Sequence, residues 1–231
     1  GATVDVTGCT GDGTVAIRLE PAMLDNGAGT KNAFSAASSS ATVNNTAPTV
    51  SFSAPSISTI NSSSTASYTL TFTGADSTTL TNGTGTGITL DMTGTVANCA
   101  ATVNTPTASG ATVDVTGCTG DGTVAIKLDA GTLDNGTGIP NVLSAASDTA
   151  TVDNTAPIAT AFSKTTRSYS QQSFPSSVEV TFSDDADMST VALANFTNTG
   201  TCAGATIDSI GAPVGQKVTV SLGGTGACLD G

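Results

Sequence analysis

The first 17 residues of the chain recur unchanged further along it. Residues 1–17 and residues 110–126 both read GATVDVTGCTGDGTVAI. The match continues without a gap, so that 35 of the 48 positions in 1–48 and 110–157 are identical. A solenoid or propeller repeat has a period of about 20 to 50 residues. The longer period seen here is that of a whole domain, close to the size of an immunoglobulin-like sandwich.

The domain boundaries follow from a phrase that closes both copies. Residues 43–48 read VNNTAP and residues 152–157 read VDNTAP. Each phrase is typical of a last strand that runs into a short linker, which the fixed φ of proline stiffens. We therefore expect 1–48 to be the C-terminal part of one domain, 49–157 a complete domain, and 158–231 the N-terminal part of a third, diverged domain. Because the chain begins within a copy, we expect a processed product or a piece of something longer.

Apolar residues alternate with small polar residues through the complete domain, which is the pattern of strands with one buried face. The seven segments with this alternation are 50–52, 68–72, 88–92, 101–103, 113–115, 124–128 and 150–152. Gly, Asn and Asp-rich turns separate them. The prediction is an all-β chain of tandem immunoglobulin-like β-sandwich domains, each with about seven strands, in a linear array.

The cysteine spacing predicts a disulfide inside the complete domain. A hairpin that sets residue 103 opposite 114, and 101 opposite 116, also sets Cys99 opposite Cys118. Opposed Cα atoms in an antiparallel ladder are about 4.5 to 5.5 Å apart, which is within disulfide range.

The other three cysteines fit the same scheme. A hairpin around Gly215 would pair Cys202 with Cys228. Cys9 is the counterpart of Cys118, and its partner would precede Gly1, so we expect Cys9 to be unpaired. Buried free thiols or a metal site are the alternatives, although the chain has no CxxC and no histidine. Disulfides predict an oxidising compartment, which is the cell surface, the periplasm or the medium outside the cell.

Composition argues against several classes of function. The net charge is −12 with only 6 Lys and Arg, so a nucleic-acid partner is not expected and an anionic membrane surface would repel the chain. The sequence contains no run of about 18 apolar residues, so we expect no membrane insertion in this segment. Without histidine the usual general base and the Ser/His/Asp triad are missing. Asp184, Asp185 and Asp187 are typical of a solvated loop, and we expect no enzyme.

Calcium is the one cofactor that the sequence suggests, because Asp and Asn oxygens are ligands that it prefers. The candidates in the second copy are Asp134, Asn135, Asp148, Asp153 and Asn154. In the first copy Ser39 replaces the third of these and Asn44 the fourth. Ordinary turn chemistry is the alternative interpretation.

Several of these stretches together resemble a known family. The runs SYTLTFTGAD, GITLDMTGTV, DGTVAIKLDAGTLDNGTG and ATVDNTAP are similar to the bacterial Ig-like repeats found in tandem in large surface proteins and adhesins. The resemblance implies a structural repeat segment of an extracellular filament, stalk or adhesin at a bacterial surface. Its partners would be neighbouring Ig-like repeats or copies of the chain itself.

Two other functions remain open at this point. The chain could be an Ig-like module that binds a glycan or a protein such as a surface receptor, which a cluster of exposed aromatic residues would favour; only 4% of its residues are aromatic. It could also be an accessory segment of a larger secreted enzyme.

Overall fold

A computed structural model describes residues 1–163, 176–183, 188–200 and 205–224. These residues form strands and loops, with two short 3₁₀ turns at Met188–Thr190 and Leu193–Asn195 as the only helical elements in the described ranges. None of the helices in the described part of the chain has the length and apolar character needed to cross a membrane. The chain folds into two compact units, 1–154 and 155–231, and the predicted division into three parts stays a prediction.

The first copy forms a small antiparallel sheet. Strand β1 (Gly13–Val15) pairs with β2 (Ala41–Val43), and Gly13 lies opposite Val43. The residues between the two strands are joined back to β1 and its extension by side-chain hydrogen bonds. Ser38 Oγ accepts from the Ile17 N–H at 3.0 Å. The copy therefore has a defined backbone, although most of its side chains are exposed.

Residues 49–157, which we call the complete domain after the prediction, contain eleven strands. They are β3 (Thr49–Phe52), β4 (Thr59–Ile60), β5 (Thr65–Thr73), β6 (Ser77–Thr78), β7 (Gly83–Thr84), β8 (Ile88–Met92), β9 (Ala100–Thr107), β10 (Gly110–Thr116), β11 (Gly122–Leu128), β12 (Leu133–Asp134) and β13 (Ala150–Val152). All seven predicted segments lie within strands, which confirms that part of the prediction. The four additional strands have two residues each.

Two sheets face a common core in this domain. One has the order β3-β5-β10-β9-β7 and the other the order β4-β13-β11-β8. Along β5 every second residue is buried, including Tyr68 and Leu70, while the threonines between them are exposed. Val113 from the first sheet and Ile126 from the second belong to the same cluster of buried side chains. This packing of two sheets is that of a β sandwich.

The β9–β10 hairpin differs from its predicted register by one residue. Val113 lies opposite Val103, and Val115 lies opposite Ala101, where the prediction paired 103 with 114. Next to the turn the pairing is as predicted, since Gly110 lies opposite Thr107; an irregularity between Gly110 and Thr112 then shifts the register. The shift matters because opposed residues share a face, so the observed pairing puts both valines in the core. A constant offset could not anticipate this bulge.

The second unit contains one four-stranded sheet among its described residues. Its strands are β14 (Ala159–Phe162), β15 (Ser177–Phe182), β16 (Thr206–Ile210) and β17 (Lys217–Gly223). Their order, β14-β15-β17-β16, parallels β3-β5-β10-β9 in the complete domain. The buried residues of this sheet are Val180, Val218 and Val220. The hairpin predicted around Gly215 is present as β16–β17.

Candidate functional site

The disulfide predicted in the complete domain is present. Cys99 and Cys118 are bonded, with their Cα atoms 4.1 Å apart, and Cys118 is fully buried. Just beyond them Ala97 and Thr119 form a bridge between the two segments. The disulfide therefore joins the segment before β9 to the segment after β10. Cys9 is an exposed free thiol, while Cys202, Cys228 and the acidic residues 184, 185 and 187 lie outside the described residues.

A pair of side chains holds the chain at the end of each copy, and we call this pair the linker clamp. In the second copy Asp121 Oδ1 accepts from the Asn154 N–H at 2.7 Å. The side-chain amide of Asn154 donates to Gly120 O at 2.8 Å and to Cys118 O at 3.2 Å. Its Oδ1 accepts from the Ser62 N–H at 2.8 Å. The linker clamp therefore ties the end of the domain to the loop that follows the disulfide.

The first copy contains the same linker clamp. Asp12 Oδ1 accepts from the Asn45 N–H at 2.5 Å, and the Asn45 side-chain amide donates to Gly11 O at 2.6 Å. The Thr46 hydroxyl donates to the other oxygen of Asp12. The hydrogen bonds to the carboxylate, from the Thr46 hydroxyl first and then from the Asn45 N–H, lower the pKa of Asp12 below its ordinary value because they stabilise the ionised form. Two copies of the sequence thus build the same local joint.

The loop 134–139 of the complete domain also binds the linker that follows the first copy, residues 44–48. We call this loop the receiving loop. Asn135 is 6% exposed, and its Oδ1 accepts from the N–H groups of Thr137 and Ile139 at 3.0 and 3.1 Å. Its side-chain amide donates to Asn44 O at 3.1 Å and to Thr46 O at 3.0 Å. The Thr137 hydroxyl adds a bond of 2.7 Å to Asn44 O. The linker is therefore bound both by the copy that it leaves and by the domain that it enters.

The five residues predicted to bind calcium fall into separate places. Asp134 and Asn135 lie in the receiving loop, where Asp134 Oδ1 accepts from the Gly136 N–H at 2.7 Å. Asn154 belongs to the linker clamp, and the N–H of its neighbour Asp153 donates to Ile60 O. Asp148 is exposed on the segment before β13.

The side-chain amides of the two asparagines of this set donate to backbone carbonyls, and their Oδ1 atoms accept from backbone N–H groups. In the part of the chain that the structure describes, no group of three or more His, Cys, Asp or Glu residues could hold a metal ion. Calcium binding stays an untested prediction.

Sequence reasoning missed the aspartates of the linker clamp and Thr137 of the receiving loop. A signal for the aspartates existed, since TGDG occurs at 10–13 and again at 119–122. Nothing local connects Asn135 with the linker that it binds, because the contact spans 91 positions.

The described residues also line two open clefts. One, of about 330 Å³, lies between Ile88 and Ala101 in the complete domain. The other, of about 220 Å³, lies beside Phe182 and Phe196 in the second unit. Neither contains a charged side chain among its described lining residues.

Comparison of the chain with protein-family models, with curated proteins and with solved structures finds no match. The resemblance to bacterial Ig-like repeats accordingly remains a prediction from the sequence.

Proposed function

We propose that the chain is a structural repeat segment of an extracellular filament, stalk or adhesin at a bacterial surface, made of tandem Ig-like sandwich domains and stiffened by intradomain disulfides. The observation that carries the proposal is the joint at residues 44–48. The linker clamp of the first copy and the receiving loop of the next domain bind the same short linker. A chain that spaces one domain from the next needs such a joint.

The joint restricts the linker by hydrogen bonds to its backbone. Asn44 O accepts from Asn135 and from Thr137, while the Asn45 N–H is held by Asp12. Each such bond contributes about 1 kcal/mol net. Pro48, which is buried at the end of the linker, has a fixed φ. Together these constraints favour one orientation between neighbouring domains over a freely jointed one.

The disulfide supports a mechanical role for the chain in an oxidising compartment. It closes a loop of 19 residues, and such a loop is stabilised by about 3 kcal/mol on the chain-entropy account. Structural disulfides persist outside the cytosol. The chain has few Lys and Arg residues, and the exposed faces of its strands are rich in Thr and Ser. Both features suit a protein surface that is in contact with water.

Two measurements on native material test the location. Alkylation before reduction should leave Cys99 and Cys118 unlabelled, and protease added to intact cells should release peptides from this chain. Free thiols at Cys99 and Cys118 in the native protein, or full protection of the chain from added protease, would contradict an extracellular location.

Pulling on the full chain tests the mechanical part. With the disulfide intact, the 19-residue loop is withheld when the complete domain unfolds. Reduction should lengthen that unfolding step by about 60 Å, because each released residue adds about 3.4 Å. The double variant Cys99→Ser/Cys118→Ser is the matched control, and it should show the long step without any reductant. An unfolding step of unchanged length after reduction would contradict a disulfide that resists tension.

A further inference from the structure

Residues 8–48 of the first copy share backbone features with 117–157, whereas residues 1–7 lie outside any strand although the identical residues 110–116 form β10. Gly13 pairs with Val43 as Gly122 pairs with Val152, in the same register. The hydrogen bond from the Ile17 N–H to Ser38 Oγ has its counterpart between Ile126 and Ser147, and both measure 3.0 Å. Residues 8–48 therefore present a preformed half of a sandwich.

The large apolar side chains of residues 1–48 are exposed where their counterparts in the second copy are buried. Ile17 is 41% exposed, whereas its counterpart Ile126 is fully buried; Val4 is 62% exposed and its counterpart Val113 is fully buried. The same contrast holds for three further pairs: Val6 with Val115, Leu19 with Leu128, and Leu24 with Leu133. In the complete domain β8 pairs with β11, whereas among the described residues β1 has a strand only on its β2 side.

Two equivalent glycines show that the first copy leaves room for a loop that is present in the complete domain. Gly120 has φ +74°, and a Cβ there would lie 2.1 Å from Thr95 O, so the loop after β8 passes directly over it. Gly11, its counterpart, has φ +76° and no atom within 4 Å of the same position. The first copy thus keeps the conformation that admits such a loop, and the space for the loop is open.

The complete domain also indicates which polypeptide fits. Residues 49–109 supply β3 to β9, which cover the face of 110–157, and Cys99 among them bonds to Cys118. Residues 1–17 are identical to 110–126, so the same chemistry fits the first copy, with Cys9 in the place of Cys118. The sheet of the second unit is a weaker fit, because its own β17 already holds the position of β10 that residues 1–7 would take.

We propose that residues 1–48 form an acceptor surface for a polypeptide segment of the sequence type of residues 49–109, which completes the sandwich and forms a disulfide with Cys9. The proposal names the partner of the tandem array and rests on the proposed function. Closure joins the Sγ of Cys9 to the Sγ of the segment's cysteine. The two thiols give two protons and two electrons to a small-molecule disulfide such as oxidised glutathione, which leaves as two thiols.

A fusion of residues 49–109 directly ahead of Gly1 in the full chain tests this surface. The fusion recreates the junction between Ser109 and Gly110, because Gly1 and Gly110 begin the same sequence. After oxidation with glutathione we expect alkylation of Cys9 to fall by about a hundredfold and hydrogen exchange at 13–43 to slow by a similar factor, since local opening becomes part of a domain's global unfolding. A fusion with serine at the added counterpart of Cys99 should keep the slow exchange and leave Cys9 reactive.

A second variant keeps the test decisive if the fusion folds poorly. Gly11→Ala strains the backbone because φ there is +76°, so it should speed exchange at 13–43 modestly in the original chain. It should abolish the protection that the fusion, or residues 49–109 added as a separate peptide, provides. Unchanged alkylation and exchange in both formats would overturn the proposal. Concentration-dependent protection of 13–43 in the original chain, with Cys99 still bonded to Cys118, would make another surface of a second copy the occupant and would also overturn it. Neither result depends on where the protein is located, so the proposed function is tested separately.

Discussion

Residues 1–48 and 110–157 share most of their sequence, but only the second set is buried in a sandwich. Their strand register, their serine side-chain bonds and their linker clamps agree. Their burial differs, since Ile17 is 41% exposed and Ile126 is fully buried. The sequence of one copy is therefore enough for the pairing of β1 with β2, whereas burial and cysteine chemistry depend on strands from elsewhere in the sequence.

Matched truncations in the two copies should give the largest contrast. Ile126→Ala removes a fully buried side chain and should lower the free energy of unfolding of the complete domain by about 2–5 kcal/mol. Ile17→Ala, at the equivalent position, should change it by less than about 0.5 kcal/mol because the side chain already contacts water. Both changes in free energy are measured by urea unfolding that is monitored through hydrogen exchange at β11. Equal costs would mean that the first copy is covered in solution.

The cysteines offer a second contrast of intermediate size. Cys99→Ser/Cys118→Ser should cost about 3 kcal/mol in the free energy of unfolding, because a 19-residue loop is no longer closed in the unfolded chain. Cys9→Ser should leave stability unchanged, since that thiol is free and exposed. Urea midpoints of oxidised protein give both values. A comparable loss from the Cys9 substitution would show that this thiol has a structural partner.

A substitution in the receiving loop should weaken the joint by a smaller amount. The equivalent substitution in the first copy should have no such effect. Asn135→Asp keeps the acceptor for Thr137 but replaces the amide that donates to Asn44 and Thr46 by a charged oxygen. Loss of these bonds should weaken the joint by about 1–3 kcal/mol, measured as faster hydrogen exchange at the N–H of Asn45. In the first copy Asn26 makes the equivalent loop bond to the Ala28 N–H and binds no linker among the described residues.

The control for the receiving loop is therefore Asn26→Asp. It should leave exchange in the linker unchanged, because Asn26 keeps its acceptor role within its own loop. If both substitutions loosen the linker equally, the receiving loop does not hold the joint.

Acid should loosen the joint of the first copy by the smallest amount. The pKa of Asp12 is lowered from 3.8, chiefly by the hydrogen bond from Thr46 and then by that from Asn45. A carboxyl group with a lower pKa in the folded state stabilises it above its unfolded pKa and loses that contribution as the pH falls through the folded value. Exchange at the Asn45 N–H, corrected for its intrinsic rate, should rise as the pH drops below 3.8. Asp12→Asn should remove this dependence; its persistence in the variant would assign it to another group.

The strand positions were predictable because alternation is a local property. Tyr68 and Leu70 alternate with threonines that face water, and such a pattern indicates a strand without knowledge of its neighbours. The disulfide between Cys99 and Cys118 followed from spacing, even though the register behind that argument was wrong by one residue beyond the bulge near Gly110.

The joint could not be predicted in the same way. Asn135 looked like a turn residue and a calcium candidate, and its role depends on carbonyl groups of residues far earlier in the chain. The candidate calcium residues likewise divide between the receiving loop and the linker clamp, a separation that their sequence spacing did not reveal.

By itself the sequence determined seven strands of the complete domain and the pairing of Cys99 with Cys118, since these depend on side-chain alternation and short separations along the chain. The tertiary structure decided which copy is enclosed and how one copy is attached to the next. Burial requires a second sheet to exclude water from the first, and identical residues such as Ile17 and Ile126 have opposite environments because only one of them faces such a sheet.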